Sequence, residues 1–299
     1  MLITGAAGAI GSAIARQMRA KWRSARLALL DRDAESMSAL ANELGDATTH
    51  GVDLRDIAGL PAAIARIEGR DAELAASARI EGPDAELAAS ARTEGRDVTT
   101  AKPATARDAP DTTAPSVPLD GLVNCAGVMW VRHVGSWDWN DAEALLAIDF
   151  LAPLRLQDLV VHSMIQRGAR GVIVNLSSMA GRVPLKGCAY YGASKAGLAM
   201  ASEIARAELA PHGIRVVTVY PGPVKSNLEQ GAREAFGGGG MFGRYAPVGD
   251  PDELARLIAR AIDHDEPRVI YPRLYRVGWS ATNAASWFSL AYGPPPPVA

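Results

Sequence analysis

The sequence predicts a doubly wound α/β fold, a single Rossmann-type domain with a parallel sheet of about seven strands and helices on both faces. Three observations predict it. Apolar runs and amphipathic segments alternate along the chain. The runs are continuous rather than alternating, as expected of strands buried on both faces. A glycine-rich turn joins the first run to the first helix, where such sheets bind ligands.

Taken in order, Leu2-Ile3-Thr4 reads as the end of a strand, so short that the start is expected upstream or the strand to be trimmed. Ala9 to Trp22 reads as a helix, with Ile10, Ala13, Ile14 and Met18 at helical spacing. Leu27 to Leu30 is a strand ending in Asp31, and Ala34 to Leu44 the next helix. Gly121 to Asn124 resumes the strands. Asp138 to Ile148 and Leu151 to Arg167 read as two helices, Gly171 to Ser177 as a strand and Ala193 to Leu209 as a long helix. Ile214 to Val219 is a strand, Asp252 to Asp263 a helix and Arg268 to Tyr271 the last strand.

A 13-residue unit, Ala65 to Ser77, recurs at Ala78 to Ser90 and begins again at Ala91. It is too short and too charged for a solenoid repeat. Thr99 to Pro118, rich in Thr, Pro, Ala and Asp, reads as linker. Residues 69–118 are therefore expected to be a disordered insertion in a domain spanning 1–272, with 273–299 as a C-terminal tail. Loop-closure entropy grows slowly with length, so a fold can carry such an insertion.

With 31 Lys plus Arg against 33 Asp plus Glu, the chain lacks the basic surface that nucleic acid requires. Two cysteines, Cys125 and Cys188, make neither a disulfide framework nor a four-thiolate zinc site, and a reducing cytoplasm is the default. No integral membrane span is expected. The uncharged stretch Val277 to Gly293 is broken by Ser280, Thr282, Asn283, Ser286 and Ser289. Its Trp279, Trp287, Phe288 and Tyr292 are expected to pack across subunits or over a pocket, with contact to a membrane surface as the second reading. Pro294 to Pro297 cannot continue a helix and is expected to fray. The five histidines are scattered and no metal is expected.

Gly5, Gly8 and Gly11 lie between strand and helix, where backbone N–H groups and the helix N-terminus suit a pyrophosphate. Asp31 follows Gly11 by 20 residues, at the tip of the second strand. There its carboxylate can accept from ribose hydroxyls, which favours NAD; Arg32 beside it keeps NADP open. Tyr191 and Lys195 are four residues apart and share a helix face. An ammonium beside a phenol lowers its pKa and fits it for proton transfer. Ser178, at a strand's carboxyl end, could hold the reacting oxygen.

Ser178, thirteen residues before Tyr191, with Tyr191-x-x-x-Lys195, resembles the catalytic signature of the short-chain dehydrogenase/reductase family. Asn124-Cys125-Ala126-Gly127 resembles the family's Asn-Asn-Ala-Gly motif, and Val52-Asp53-Leu54 the segment whose Asp meets adenine. Tyr220 to Val224, with Pro221 and Gly222, resembles the motif flanking the nicotinamide. The resemblance implies NAD(P)-dependent hydride transfer with a secondary alcohol or ketone as the small-molecule partner. It extends cofactor contacts to Ala9, Ile10, Asp53, Leu54, Asn124, Ala126, Gly127, Pro221, Gly222 and Val224, besides Tyr191 and Lys195, and it implies a homodimer or homotetramer.

The chain departs from the family pattern in three places. Ala9 stands at the middle glycine of the usual turn, so the glycines are spaced as in extended members acting on nucleotide sugars. Asp149 stands where the family has an Asn that holds a water in a relay through the Lys, and it joins Ser178, Tyr191 and Lys195 as a catalytic candidate. Phe236 to Gly243 reads as a glycine-hinged lid. An apolar lid and tail point to a hydrophobic substrate. Two other readings stand beside the oxidoreductase: a dinucleotide-binding regulatory protein with impaired catalysis, and a nucleotide-sugar epimerase or dehydratase.

Overall fold

The computed structural model describes residues 1–69, 117–236 and 247–293. Contacts divide the chain into two units, Met1–Leu60 with Leu119–Ala299, and Pro61–Pro118. In the larger unit one parallel sheet contains β1 (Leu2–Thr4), β2 (Leu27–Asp31), β3 (Ala47–Gly51), β4 (Gly121–Asn124), β5 (Gly171–Leu176), β6 (Ile214–Pro221) and β7 (Arg268–Tyr271). Their order is β3-β2-β1-β4-β5-β6-β7. Chain direction across the sheet reverses between β1 and β4. A crevice at the carboxyl ends of the strands is the geometric consequence.

The helices follow the strands: α1 (Ala9–Lys21), α2 (Ala34–Leu44), α3 (Leu60–Ile67), α4 (Trp139–Leu146), α5 (Ala152–Gln166), α6 (Ala189–Leu209), α7 (Asn227–Ala235), α8 (Pro251–His264), α9 (Tyr275–Ser280) and α10 (Thr282–Tyr292). Caps account for several boundaries. Asp33 accepts from Ser36 N at 3.0 Å to open α2. Asp250 accepts from Asp252 N at 3.0 Å, with Pro251 at the first helical position of α8. In the smaller unit, among the described residues, Val117 N donates to Glu68 O at 3.1 Å.

Alternate strand residues face opposite layers. Val172, Val174, Val217 and Val219 join Ile14 and Met18 of α1 and Leu254, Ile258 and Ile262 of α8 in one core. Asn175 and Thr218 point the other way. Asn175 Nδ2 donates to Gln157 Oε1 of α5 at 2.8 Å and to Ser202 Oγ of α6 at 3.2 Å. Ser202 Oγ and Thr218 Oγ1 are 2.8 Å apart. Helices thus cover both faces, as the sequence predicts.

Three elements differ from expectation. Strand β3 has no counterpart in the sequence reading. It is an edge strand paired only with β2, and Thr48 and Thr49 are exposed, so it carries no apolar run. The two helices expected over 138–167 are one helical course, α4 and α5 joined by a π-turn at Ala147–Leu151. Pro153 explains the turn: it has no N–H for the Asp149 carbonyl, and its ring would strike that carbonyl in a regular helix. The Ala152 N–H reaches Ala147 O instead. Helix α6 begins at Ala189 rather than Ala193, through Gly192, whose Cβ would lie 3.1 Å from Ala180 O. The repeat (70–116), the glycine run of the expected lid (237–243) and Pro294 to Pro297 lie outside the described residues.

Candidate active site

A cleft of about 1130 Å³ opens over the carboxyl ends of the central strands. One end is built by the β1–α1 turn. Gly5 has φ +67°, and Gly11 is packed so closely that a Cβ there would sit 2.1 Å from Gly5 O. Gly8 precedes α1, whose N-terminus has no side-chain cap and no acid in its first turn. Ala9 is exposed and lines the cleft beside Gly8, Ile10 and Gly11. Its Cβ therefore does not crowd the turn itself. An uncapped helix end opening on a cleft fits an anionic pyrophosphate.

Asp31 borders the same end. Its Oδ2 accepts from Ala7 N at 3.0 Å and its Oδ1 from Arg32 N at 2.7 Å. The carboxylate thus ties β2 to the glycine turn, and it retains lone pairs for a ribose. Arg32, Asp53 and Leu54 line the cleft nearby. Arg55 clamps Asp53, with Nε 2.9 Å from Oδ2, and holds its carboxyl below the usual range. Ala126 and Gly127 after β4, Pro221 at the end of β6, and Gly222 and Val224 after it complete the lining expected from sequence.

Two expected residues stand behind the cleft rather than in its wall. The Asn124 amide is buried, donating to Pro153 O at 3.1 Å and Asn175 Oδ1 at 2.8 Å. It fastens β4 to β5 and to the start of α5. Asp149 is fully buried on the π-turn.

Ser178, Tyr191 and Lys195 all line the cleft and are all buried. Ser178 follows β5; its Oγ accepts from Ala180 N at 3.1 Å and lies 3.4 Å from Pro221 O. Tyr191 and Lys195 lie one turn apart on α6, with Nζ 5.9 Å from the ring centroid. Lys195 Nζ donates to Leu176 O at 3.3 Å and stands 3.3 Å from Asp149 Oδ2. Asp149 Oδ1 accepts from Val128 N at 2.8 Å, whereas Oδ2 has the ammonium close by but no aligned hydrogen bond. A Cβ on Gly127 would meet Nζ at 3.3 Å and Oδ1 at 3.4 Å, so that glycine keeps the pair compact.

The electrostatics differ from what the Tyr–Lys spacing alone predicts. Burial, and then the charge of Asp149, push the Tyr191 hydroxyl above the ordinary tyrosine value, with Ser178 opposing. The spacing shows the ammonium but not the carboxylate beside it. Burial likewise pushes Asp149 up, against Lys195 and the Val128 N–H. The Cys125 and Cys188 thiols are pushed by burial up to about 12, which makes them poor nucleophiles.

The other end of the cleft carries residues that no motif marks. Val183, Leu185 and Lys186 follow β5, and Tyr275, Ala285 and Phe288 come from the tail. The tail is held there: Ser289 Oγ donates to Pro184 O at 2.7 Å, and Lys186 Nζ to Gly293 O at 3.4 Å. The Tyr275 ring lies where a Cβ on Gly222 would be, 2.8 Å away. Trp279 packs on Tyr220 at 4.5 Å under Arg182, while Trp287 and Tyr292 are exposed. Trp137 packs edge-on to Tyr190 at 4.8 Å, whereas Trp139 is exposed and donates to Glu143. Among the described residues no group of His, Cys, Asp and Glu forms a metal site, and no helix is long and apolar enough to cross a membrane.

Comparison with known proteins places similar chains beside this one. A family model described as short chain dehydrogenase matches residues 70–236. D-threitol dehydrogenase of Mycolicibacterium smegmatis is 30% identical over 260 residues, covering 85% of this chain and 82% of that protein. The human (3R)-3-hydroxyacyl-CoA dehydrogenase is 28% identical over 156 residues, 50% of this chain; the match spans only 58% of that relative's length. A solved short-chain dehydrogenase from Sphingobium yanoikuyae, in complex with NADPH, has a TM-score of 0.64 at 25% identity and covers 97% of this chain and 94% of that one.

Proposed function

The chain belongs to the short-chain dehydrogenase family, and from that premise we propose that it is an NAD(P)-dependent oxidoreductase acting on a secondary alcohol or ketone. The observation that carries the reading is the convergence of Ser178, Tyr191 and Lys195 on one cleft with the glycine turn. The bound nicotinamide would supply or accept the hydride. The Gly5–Gly11 turn and the open end of α1 would hold the pyrophosphate, and Asp31 the ribose of NAD in preference to NADP. Ser178 Oγ would hold the substrate oxygen, and the Tyr191 hydroxyl would give a proton to it, or take one from it. Lys195 anchors the site from beneath through Leu176 O. The NADPH complex of the Sphingobium relative supports nicotinamide binding in general.

Met179, Val183, Leu185 and Phe288 support a hydrophobic substrate, because an apolar wall rewards apolar surface. Two unpaired cysteines accord with a reducing cytoplasm. Exposed Met200 and Ile204 on α6 and Ile165 on α5 support a homodimer or homotetramer. One observation favours a second reading, a dinucleotide-binding protein with weak catalysis: the Tyr191 hydroxyl is held above its ordinary value.

The test is titration of the purified protein with NADH and NADPH by fluorescence, followed by turnover of a panel of secondary alcohols and ketones. Turnover that disappears in Tyr191→Phe while binding persists is the expected result. Binding without turnover selects the second reading, and no binding of either nucleotide overturns both.

A further inference from the structure

We propose that Asp149 is a charge-setting residue that cancels the ammonium of Lys195, so that Tyr191 is held as the neutral phenol, the form that carries the proton a carbonyl substrate would take. The inference rests on the proposed function for its chemistry but not for its electrostatics. The π-turn that Pro153 imposes carries Asp149 beneath α6, where the carboxylate is fully buried and stands 3.3 Å from Lys195 Nζ. Gly127 leaves room for the contact, and the Val128 N–H fixes Oδ1 at 2.8 Å.

While one ionisable proton is shared between them, the pair carries no net charge, and the 3.3 Å contact favours that state. An ammonium with a carboxylate sums to zero, and so does an amine with a carboxylic acid. An amide at position 149 would leave the ammonium alone, with net charge +1 beside the phenol. The cationic environment that stabilises a phenolate is thus removed by one side chain. Among the described residues, the other groups acting on the Tyr191 hydroxyl are the Cys188 thiol at the start of α6 and the Ser178 hydroxyl after β5; Cys125 after β4 lies within the fields of Lys195 and Asp31. Burial keeps both thiols neutral, so neither replaces the charge that Asp149 supplies. In the reductive direction Tyr191 would give its proton to the substrate oxygen, a bound reduced nicotinamide would supply the hydride for the carbonyl carbon, and solvent would return a proton to the phenolate.

The test reads the phenol directly, in protein without nucleotide. Isotope-labelled tyrosine is followed by NMR against pH, with the Tyr191 signal assigned by its loss in Tyr191→Phe. In the unchanged chain the signal is expected to remain that of a phenol up to alkaline unfolding. Asp149→Asn is expected to lower its titration by about one to three pH units, each unit a tenfold rise in phenolate at a given pH. Asp149→Glu restores the original behaviour. Lys195→Gln, which leaves the carboxylate alone, gives no phenolate at any pH where the protein is folded. If a ketone is turned over, the pH at which reduction declines moves down with the phenol in Asp149→Asn. A Tyr191 signal that titrates identically in the unchanged chain and in Asp149→Asn overturns the proposal, even if turnover is present. A shifted signal in a protein that turns over nothing sustains it and sinks the enzymatic reading alone.

Discussion

Replacing Gly11 by alanine tests the glycine turn where it is tightest. The new Cβ would lie 2.1 Å from Gly5 O, 2.8 Å from Gly5 C and 3.0 Å from the Ala6 Cα. Ordinary carbon–oxygen contact is about 3.4 Å or more, so backbone must move by more than about an ångström. Neither side yields easily. Gly5 is already at φ +67°, and its own Cβ position lies 2.7 Å from the Ala126 Cα. Helix α1 is pinned by Ile14 and Met18, both fully buried in the core shared with α8. Overpacking against such walls costs about 1–3 kcal/mol, and a clash with backbone belongs at the upper end. With a urea slope of about 2–3 kcal/mol/M, the unfolding midpoint is expected to fall by about 1 M. The control is Gly51→Ala, where nothing lies within 4 Å and φ is not positive; it is expected to stay within about 0.5 kcal/mol. Equal midpoints for the two variants, with nucleotide affinity unchanged, would refute the reasoning.

Other expectations concern the site and its walls. Asp31→Ala removes the acceptor of the Ala7 and Arg32 N–H groups; it is expected to cost about 1–3 kcal/mol in denaturant titrations and to erase any preference of NADH over NADPH in fluorescence binding. Tyr191→Phe is expected to lower kcat by about a hundredfold or more while nucleotide affinity is retained. Phe288→Ala strips the tail's aromatic contribution to the cleft and is expected to raise KM about tenfold for bulky apolar ketones, with small ketones unaffected. Burial raises Tyr275 from about 10 to about 12, so the folded state binds that proton more tightly than the unfolded state. The stability this provides is fully present below pH 10 and lost as pH rises toward 12. Melting temperature should therefore fall across that window, less steeply in Tyr275→Phe.

The chain's own order of residues determined the sheet and the site motifs, because both depend on short-range pattern. Continuous apolar runs such as Leu27–Leu30 and Val172–Val174 can be strands only when buried on both faces, and the structure places them at the sheet's interior. Ser178, Tyr191 and the glycine turn could be read because strand ends and one helical turn set their spacing locally. Strand β3 escaped because an edge strand with exposed Thr48 and Thr49 has no hydrophobic pattern to read. What only tertiary structure decided is what lies across from each motif. The π-turn brings Asp149 to Lys195 from 46 residues away, and burial, with that carboxylate second, raises the Tyr191 hydroxyl where the Tyr–Lys spacing alone predicts a lowering. The tail closes one wall of the cleft through Ser289 and Tyr275, residues whose sequence neighbours say nothing of Pro184 or Gly222. Charge and shape at a buried site are sums over everything packed around it, and a linear pattern contains only the nearest part of that sum.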